Sequence, residues 1–190
     1  NGRTYFDIDL LDTNGKSQHI TSFADAVYPD ISPRQNEIVF TRRLANSTRF
    51  ALSLAKIPED GESLNEEYQD IFVPADSLIY YNIYSPKFSP DGQKITFSFF
   101  DNTTRGVAVI DRDGKNLKVF STENVDSRDP NWIDSERLIY SHDGNGIFNL
   151  YELDLSSGKT KPLTNVLGGA FTPVVDSSTI YYTGYDKDGF

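Results

Sequence analysis

The stretch "SPKFSPDGQKITFSFF", residues 85–100, combines a tight Ser-Pro-Asp-Gly turn with a strand in which Ile95, Phe97 and Phe99 alternate with polar residues. Alternation with a period of two is the pattern of a β-strand. We expect its apolar side chains to pack on neighbouring elements and its polar side chains to face outward. Asp-Gly suits the turn because both residues tolerate the dihedral angles that tight turns require.

This unit occurs four times along the chain, anchored each time on one proline. The copies read YPDISPRQNEIVFTRR (28–43), SPKFSPDGQKITFSFF (85–100), DPNWIDSERLIYSHD (129–143) and TPVVDSSTIYYTGYD (172–186). The anchor prolines are Pro29, Pro86, Pro130 and Pro173, at spacings of 57, 44 and 43 residues. Repetition at this interval is typical of a stacked or radial repeat architecture.

A second repeated element contains an alternating strand, a turn ending in Gly-Lys and a short further strand. Its three clear versions are 5–21, 106–121 and 149–164, with turns at Gly15-Lys16, Gly114-Lys115 and Gly158-Lys159. A looser version at 50–64 turns at Asp60-Gly61. Glycine at a tight hairpin indicates positive φ. Together the two elements supply about four short strands in about 44 residues, as in one β-propeller blade.

The fold class is therefore predicted as all-β, a β-propeller of about 44-residue four-stranded blades, with about four blade equivalents; a β-sandwich is the alternative. The predicted segments are 1–25 (outer strands of a blade), 26–82 (a blade with an inserted loop at about 62–80), 83–126 (a blade), 127–169 (a blade) and 170–190 (inner strands of a blade). We expect 1–25 and 170–190 to combine into one mixed blade that hides edge strands. We also expect the chain to be an internal part of a larger propeller.

The overall composition excludes several functional classes. The chain has 190 residues, of which 37% are hydrophobic, so it can form a packed core. Its formal charge of −10 argues against nucleic-acid binding, which favours a basic face. No apolar run approaches the ~18 residues of a membrane helix, so we expect no direct membrane insertion by this segment. The absence of cysteine excludes disulfides and thiolate metal sites within it.

The repeat resembles the TolB-type WD-like β-propeller repeat. The residues that carry the resemblance are FSPDGQKITF (88–97), VAVIDRDGK (107–115), GGAFTP (168–173) and YTGYDKDGF (182–190). The resemblance covers nearly the whole chain except 62–80. It implies a non-catalytic propeller that binds proteins in the periplasm or at the cell surface. The same repeat also occurs in the propellers that cap prolyl-oligopeptidase-type serine peptidases.

Catalytic and metal sites are not predicted. The chain has no Gly-x-Ser-x-Gly nucleophile elbow, and its two histidines, His19 and His142, fall near strand ends, where we interpret them as turn or surface residues. The Asp-Gly turns at 111–116, 142–146 and 186–190 lack the ligand spacing of an EF-hand, so turn chemistry is the favoured explanation and a calcium ion the weaker alternative. Trp132 replaces Phe88 of the repeat, which predicts a core residue. No cofactor is expected.

Two functional hypotheses remain open. The first is a protein–protein interaction scaffold that presents loops at one mouth of the propeller channel to a protein or peptide partner. Its predicted partner-binding residues are Tyr68, Phe72, Tyr80 and Tyr81, in and beside the 62–80 insertion, since tyrosine is favoured at binding hot spots. Alternatively, these side chains pack on the adjacent blade. The second hypothesis is a substrate-gating propeller of a serine peptidase whose catalytic domain lies elsewhere. A lyase or lactonase built on the ring is a third, weaker option.

Overall fold

The computed structural model describes residues 5–58, 68–75, 81–120, 122 and 124–186. Within these ranges there are sixteen strands and no helix, which confirms the predicted all-β fold. The strands are β1 (Asp9–Leu11), β2 (Ser17–His19), β3 (Ala26–Ile31), β4 (Glu37–Arg43), β5 (Phe50–Lys56), β6 (Tyr68–Phe72), β7 (Asn82–Phe88), β8 (Lys94–Phe100), β9 (Arg105–Asp111), β10 (Lys118–Phe120), β11 (Ser127–Asp134), β12 (Arg137–His142), β13 (Asn149–Asp154), β14 (Thr160–Pro162), β15 (Gly169–Asp176) and β16 (Thr179–Tyr185).

These strands form three complete four-stranded sheets and two strand pairs. Blade 1 has the order β3-β4-β5-β6, blade 2 has β7-β8-β9-β10 and blade 3 has β11-β12-β13-β14, all antiparallel. The N-terminal pair is β1-β2 and the C-terminal pair is β15-β16. Each sheet therefore uses strands that follow one another directly in the sequence, as expected for propeller blades.

The anchor prolines lie in a repeated β-bulge of the first strand of each unit. The register between the first two strands shifts between Val27 and Asp30 in blade 1, and the three later copies shift at the equivalent place. The residue before each proline has positive φ: 57° at Tyr28, 48° at Ser85, 55° at Asp129 and 47° at Thr172. Proline has no N–H to donate to a neighbouring strand, so the backbone pairing is interrupted at this position. The β-bulge allows the strand to resume its pairing after the proline.

The middle strands of the blades are apolar on both faces because both faces are buried. Phe40 of β4 packs toward the N-terminal pair, while its neighbour Val39 packs into the cluster with blade 2. In the same way Leu138 packs toward blade 2, while Ile139 packs toward the C-terminal pair. Four apolar clusters thus fill the four interfaces between consecutive units, as in a stack in which each repeat contacts its neighbours.

The expectation that polar residues of the alternating strands face outward is wrong for β8. Thr96 and Ser98 are buried at the interface with blade 3. The Thr96 hydroxyl donates to the carbonyl oxygen of Ala108 at 2.9 Å, and the Ser98 hydroxyl accepts the N–H of Asp129 at 3.0 Å. Small hydroxyl side chains fit between two packed sheets when a hydrogen bond compensates for their lost hydration.

The two ends of the chain do not form the expected mixed blade. The N-terminal pair and the C-terminal pair are separate two-stranded sheets in the described residues. Each pair packs instead on the complete blade beside it in the sequence, through Ile8 and Ile20 at one end and Ala170 and Val175 at the other. Strand β16 is exposed along its whole length. The sequence pattern had predicted strands in both end segments, 1–25 and 170–190, but had paired them with each other.

The predicted insertion at 62–80 contains the outer strand of blade 1. Strand β6 pairs with β5, so this part of the segment belongs to the sheet, while 62–67 and 76–80 lie outside the described residues.

The sheets begin near the predicted segment starts: β3 at residue 26, β7 at 82, β11 at 127 and β15 at 169. Asn82 and Gly169 each fall one residue before the predicted start.

The Gly-Lys turns give a direct test of the packing between blades. Gly114 has φ +81°, and a Cβ there would lie 2.0 Å from the carbonyl oxygen of Ile71 in blade 1. Gly158 has φ +68° with no atom within 4 Å of the same position. We expect Gly158→Ala to cost about 1 kcal/mol for the positive φ alone, and Gly114→Ala about 2 kcal/mol more because backbone must move. Urea unfolding measures both; equal losses would contradict the close approach of the blades.

Candidate functional site

One face of the blades gathers the irregular features of the fold. We call it the entry face, the face on which β3, β7, β11 and β15 begin and where the β4-β5, β8-β9 and β12-β13 connections lie. The opposite face carries the Gly15, Gly114 and Gly158 turns. Phe23 and Tyr28 are exposed on the entry face, at 74% and 47% of their surface. Large exposed apolar side chains favour a binding surface, although Leu11 is exposed to a similar extent on the opposite face.

The proline bulges place strained backbone on the entry face. Tyr28, Ser85, Asp129 and Thr172 each adopt a positive φ that non-glycine residues rarely populate. Hydrogen bonds from neighbouring units hold this geometry. The Asp30 carboxylate accepts from Lys87 Nζ at 2.8 Å and from the Phe88 N–H at 2.9 Å, both of which lie on the next blade. Strain of this kind is costly and is often found at functional sites.

Two arginines stand over aromatic rings on this face. Arg105 begins β9, with its Cζ 5.7 Å from the ring centre of Tyr84 and 5.9 Å from that of Phe100. Arg128 lies in β11, with its Cζ 4.0 Å from the ring centre of Phe148 and 5.7 Å from that of Phe171. Both arginines have a buried Nε with no hydrogen-bond partner. Cation–π contacts therefore hold both guanidinium groups without satisfying all of their donors.

Asp129 connects the two arginines electrostatically. Burial raises the pKa of its carboxyl above the ordinary value, while the N–H of Thr172 and the charges of Arg128 and Arg105 lower it by less. No ion pair to Arg105 occurs among the described residues, and the nearest for Arg128 is Asp126, at 3.7 Å.

A cleft of about 300 Å³ lies between the outer strand of blade 2 and the sheet of blade 3. Ser127, Tyr140 and His142 line it together with Val119, Phe120, Thr122, Leu153, Gly158 and Thr160. The His142 Nδ1 lies 2.9 Å from the Ser127 hydroxyl, and its ring meets the Tyr151 ring edge-on at 4.7 Å. Burial lowers the pKa of His142, although Asp143 opposes this shift. His142 is thus a half-buried strand-end residue that is neutral near pH 7, rather than the surface residue that the sequence suggested.

The predicted partner-binding residues lie between blades, so far as the structure describes them. Tyr68 meets Phe40 edge-on at 6.1 Å and lies under the guanidinium of Arg42. Phe72 stacks on Phe97 at 6.1 Å and meets Tyr81 at 6.3 Å. Tyr81 is buried, which raises the pKa of its phenol.

These contacts correspond to the alternative in which the side chains pack on the adjacent blade. The structure does not bring Tyr68 together with the other two, since Tyr68 packs with the cluster toward the N-terminal pair. Tyr80 lies outside the described residues. The partner-binding role of these four residues stays a prediction.

The arginine pair escaped the sequence analysis because nothing in its local pattern marks it. Arg105 and Arg128 occupy different positions of the repeat and are 23 residues apart in sequence. Asp129 could have been found, since it occupies the position before the anchor proline. Trp132, by contrast, is buried as predicted, and its indole N–H donates to the carbonyl oxygen of Lys87 at 2.9 Å.

Other site chemistries were sought in the described part of the chain. It contains no group of three or more His, Asp or Glu side chains placed to hold a metal ion. A helix with the length and apolarity needed to cross a membrane is likewise not found there. In the Asp-Gly turn at 111–116 the Asp113 carboxylate is held locally, and its pKa is lowered because the Lys115 side chain and N–H donate to it.

Repeated four-stranded antiparallel sheets packed face to face define the class: the chain is a segment of a β-propeller. No family model and no curated protein matches it in sequence. Its structure is similar to TolB from Acinetobacter baumannii (TM-score 0.72, 19% identity, 95% of this chain and 43% of that chain). It is also similar to putative TolB from Agrobacterium tumefaciens (TM-score 0.73, 14% identity, 93% and 61%). The fold is therefore that of a TolB-type propeller, as the sequence resemblance predicted.

A peptidase has a similar propeller. A Mycobacterium tuberculosis puromycin-hydrolyzing peptidase matches with a TM-score of 0.67 at 18% identity, over 84% of this chain and 27% of that chain. The chain thus spans less than two thirds of each of these proteins. Identities this low establish the shared fold and leave activity to be argued from the residues.

Phe72 tests whether the aromatic residues of β6 support the fold. Removing its ring takes away the contacts with Phe97 and Tyr81, so we expect Phe72→Ala to lower the free energy of unfolding by about 2–3 kcal/mol. The control is Phe23→Ala, which removes a mostly exposed ring and should change stability by less than about 0.5 kcal/mol. Urea unfolding compares the two. Equal effects would mean that Phe72 is free for a partner.

A substitution of Asp129 tests whether its buried carboxylate on the entry face lowers the stability of the fold. The pKa of Asp129 is raised in the folded state, so ionisation of this carboxyl disfavours folding. The free energy of unfolding therefore falls as the pH rises from below the unfolded-state pKa through the folded-state pKa. We expect Asp129→Asn, which also tolerates positive φ, to raise the melting temperature at pH 7 and to leave it unchanged at pH 3. Asp113→Asn is the control, since Lys115 lowers the pKa of that carboxyl. A lower melting temperature of Asp129→Asn at pH 7 would contradict the prediction.

Proposed function

We propose that the chain is part of a non-catalytic, TolB-like β-propeller that serves as a protein–protein interaction scaffold in the bacterial cell envelope. The observation that carries the proposal is the entry face, with its exposed aromatic side chains, its strained inner strands and two incompletely satisfied arginines. Aromatic residues and arginine are the residues most enriched at binding hot spots. Rigid sheets beneath them reduce the entropy lost on binding.

The likeness to two TolB structures over more than nine tenths of the chain supports this class of function. The resemblance of the repeat points to the periplasm or the cell surface as the location. The expected partner is a protein or peptide, bound by surface complementarity. Tyr68, Phe72, Tyr80 and Tyr81 stay part of the proposal as a second contact region, beside the entry face.

The gating propeller of a serine peptidase is the second candidate, favoured by the similar propeller of the puromycin-hydrolyzing peptidase. In that case the propeller would admit small substrates to a catalytic domain outside this chain. Both candidates use the same scaffold, so the activity of the whole protein distinguishes them.

Capture of envelope proteins by the whole protein is the test. We expect the double variant Phe23→Ala, Tyr28→Ala to reduce capture of its principal partner at least fivefold, because it removes the exposed rings of the entry face. Leu11→Ala removes a side chain that is 68% exposed on the opposite face and should change nothing. Hydrolysis of aminoacyl amides by the whole protein, with no specific capture, would contradict the proposal and favour the peptidase gate.

A further inference from the structure

The interface between blade 2 and blade 3 is open at a place where the preceding interface is closed. At Gly114, in the turn after the third strand of blade 2, a Cβ would lie 2.0 Å from the carbonyl oxygen of Ile71 in β6. Gly158 occupies the same turn of blade 3, and no non-adjacent atom of the described residues lies within 4 Å of its Cβ position. Strand β6 has five residues, while its counterpart β10 has three. The cleft of about 300 Å³ lies on this open side, with Gly158 in its wall.

Three apolar positions of blade 2 carry hydrogen-bonding side chains in blade 3. The strand registers give the equivalences as Ile83 to Ser127, Phe97 to Tyr140 and Phe99 to His142. All three of the blade 3 side chains line the cleft. The fold does not require polar groups at these places, since blade 2 forms an apolar interface with the same strand arrangement.

A tyrosine ring that covers these positions in the first interface has no counterpart in the second. Tyr81 lies parallel to Phe99, with ring centres 5.0 Å apart and planes at 4°. Tyr81 comes two residues before Ile83, whereas the residue two before Ser127 is Val125, whose side chain is smaller. The cleft therefore borders the place that a phenol ring fills one blade earlier.

The lining of the cleft favours a neutral ring with one hydrogen-bonding group. No carboxylate, lysine or arginine lines it in the part of the chain that the structure describes, so an ion would lose hydration there without compensation. Phe120 and Leu153 supply apolar surface, and His142, bonded to the Ser127 hydroxyl at 2.9 Å, supplies a polar end. The Tyr140 hydroxyl has no hydrogen-bond partner among the described residues and is not fully enclosed by protein, so it is left to donate to a ligand.

We propose that this cleft binds a small neutral molecule with a phenol ring. The ring packs between Phe120 and Leu153, and the hydroxyl hydrogen-bonds with Tyr140 and with the Ser127–His142 pair. Ligand sites span roughly 300–1,000 Å³, so a cleft of this size suits a ligand of one or two rings. The proposal goes beyond the proposed function and does not rest on it, because the cleft lies between two sheets and does not include the exposed aromatic residues of the entry face.

Fluorine NMR of the whole protein with three matched probes tests the proposal. The probes are 4-fluorophenol, 4-fluorotoluene, which lacks the hydroxyl, and 4-fluorobenzoate, which carries a charge. Phenols titrate near pH ~10, so 4-fluorophenol is neutral at pH ~7. We expect it to bind with a Kd on the order of 1 mM, about fivefold more tightly than 4-fluorotoluene and about tenfold more tightly than 4-fluorobenzoate. Equal affinities of all three, or no binding of 4-fluorophenol, would overturn the proposal.

A tyrosine side chain of a partner is the other source of a phenol ring, and a competition titration distinguishes it. The competitor is the peptide Ac-Gly-Tyr-Gly-amide, added to the complex with 4-fluorophenol. We expect the peptide to compete no better than unlabelled phenol. Displacement by the peptide at concentrations about tenfold lower than those of phenol would overturn the small-molecule ligand, because the cleft would then recognise the peptide backbone as well.

Two variants locate the site on the protein. Tyr140→Phe removes only the hydroxyl, and Phe97 shows that the fold accepts phenylalanine at this place. We expect the preference for 4-fluorophenol over 4-fluorotoluene to fall about fivefold in this variant. Thr160 pairs with Leu153 and therefore faces the cleft from the exposed strand β14, so Thr160→Trp should fill the space and weaken 4-fluorophenol binding about tenfold.

Thr179→Trp makes the same change at the exposed first residue of β16, outside the cleft, and is the control. Melting curves verify that each variant is folded. Binding of 4-fluorophenol that is unchanged in both Tyr140→Phe and Thr160→Trp would overturn the site even if the probe binds elsewhere on the protein.

Discussion

Face-to-face packing between consecutive blades is the interaction on which the rest of the structure depends. The five sheets are separate hydrogen-bonded ladders, and apolar clusters join each one to the next. The largest fully buried side chains, among them Phe40 and Phe97, lie in these interfaces. Burial of apolar surface is the main favourable contribution to folding. Because this surface is buried between blades, each blade depends on its neighbours for stability. The burial of both sheet faces also explains why the middle strands are apolar at successive positions.

The proline bulges connect this packing to function. Each bulge breaks the ladder at the start of an inner strand and places a residue with positive φ on the entry face. Acceptors and donors on the neighbouring blade, such as those around Asp30 and Ser98, hold the bulge in place. The strain is therefore supported by the same interfaces that stabilise the fold. A rigid rim that presents varied side chains is what an interaction scaffold requires.

Repetition made the architecture predictable from the sequence. The anchor prolines and the Gly-Lys turns recur because a bulge without an N–H donor and a hairpin with positive φ each admit few residue types. Strand β6 was missed because it lies inside the segment 62–80, which was interpreted as an inserted loop. The burial of Thr96 and Ser98 was missed because the polarity of a side chain does not reveal that both sheet faces are covered.

The candidate site was less predictable than the fold. Arg105 lies over aromatic rings of blade 2 and Arg128 over rings of blade 3 and the C-terminal pair, and the local sequence pattern does not reveal these contacts. The unusual property of each arginine is a buried Nε without a hydrogen-bond partner, which depends on the surroundings rather than on the residue. The predicted partner-binding residues were chosen because they are aromatic and lie in or beside an irregular segment. Of these, Phe72 and Tyr81 pack with the large apolar residues between blade 1 and blade 2.

The contiguity of each sheet has a consequence for how the chain acquires its structure. Blade 2 needs only residues 82–120 to complete its ladder, and blade 3 needs only 127–162. Each strand that the structure describes pairs only with its neighbours in sequence. Loop closure within a blade therefore costs little entropy, and the contacts stay local. Blades can therefore form one after another as the chain leaves the ribosome, each using the previous one as a template for its apolar face. A whole repeat could be duplicated or lost in evolution without breaking the backbone hydrogen bonds of any other.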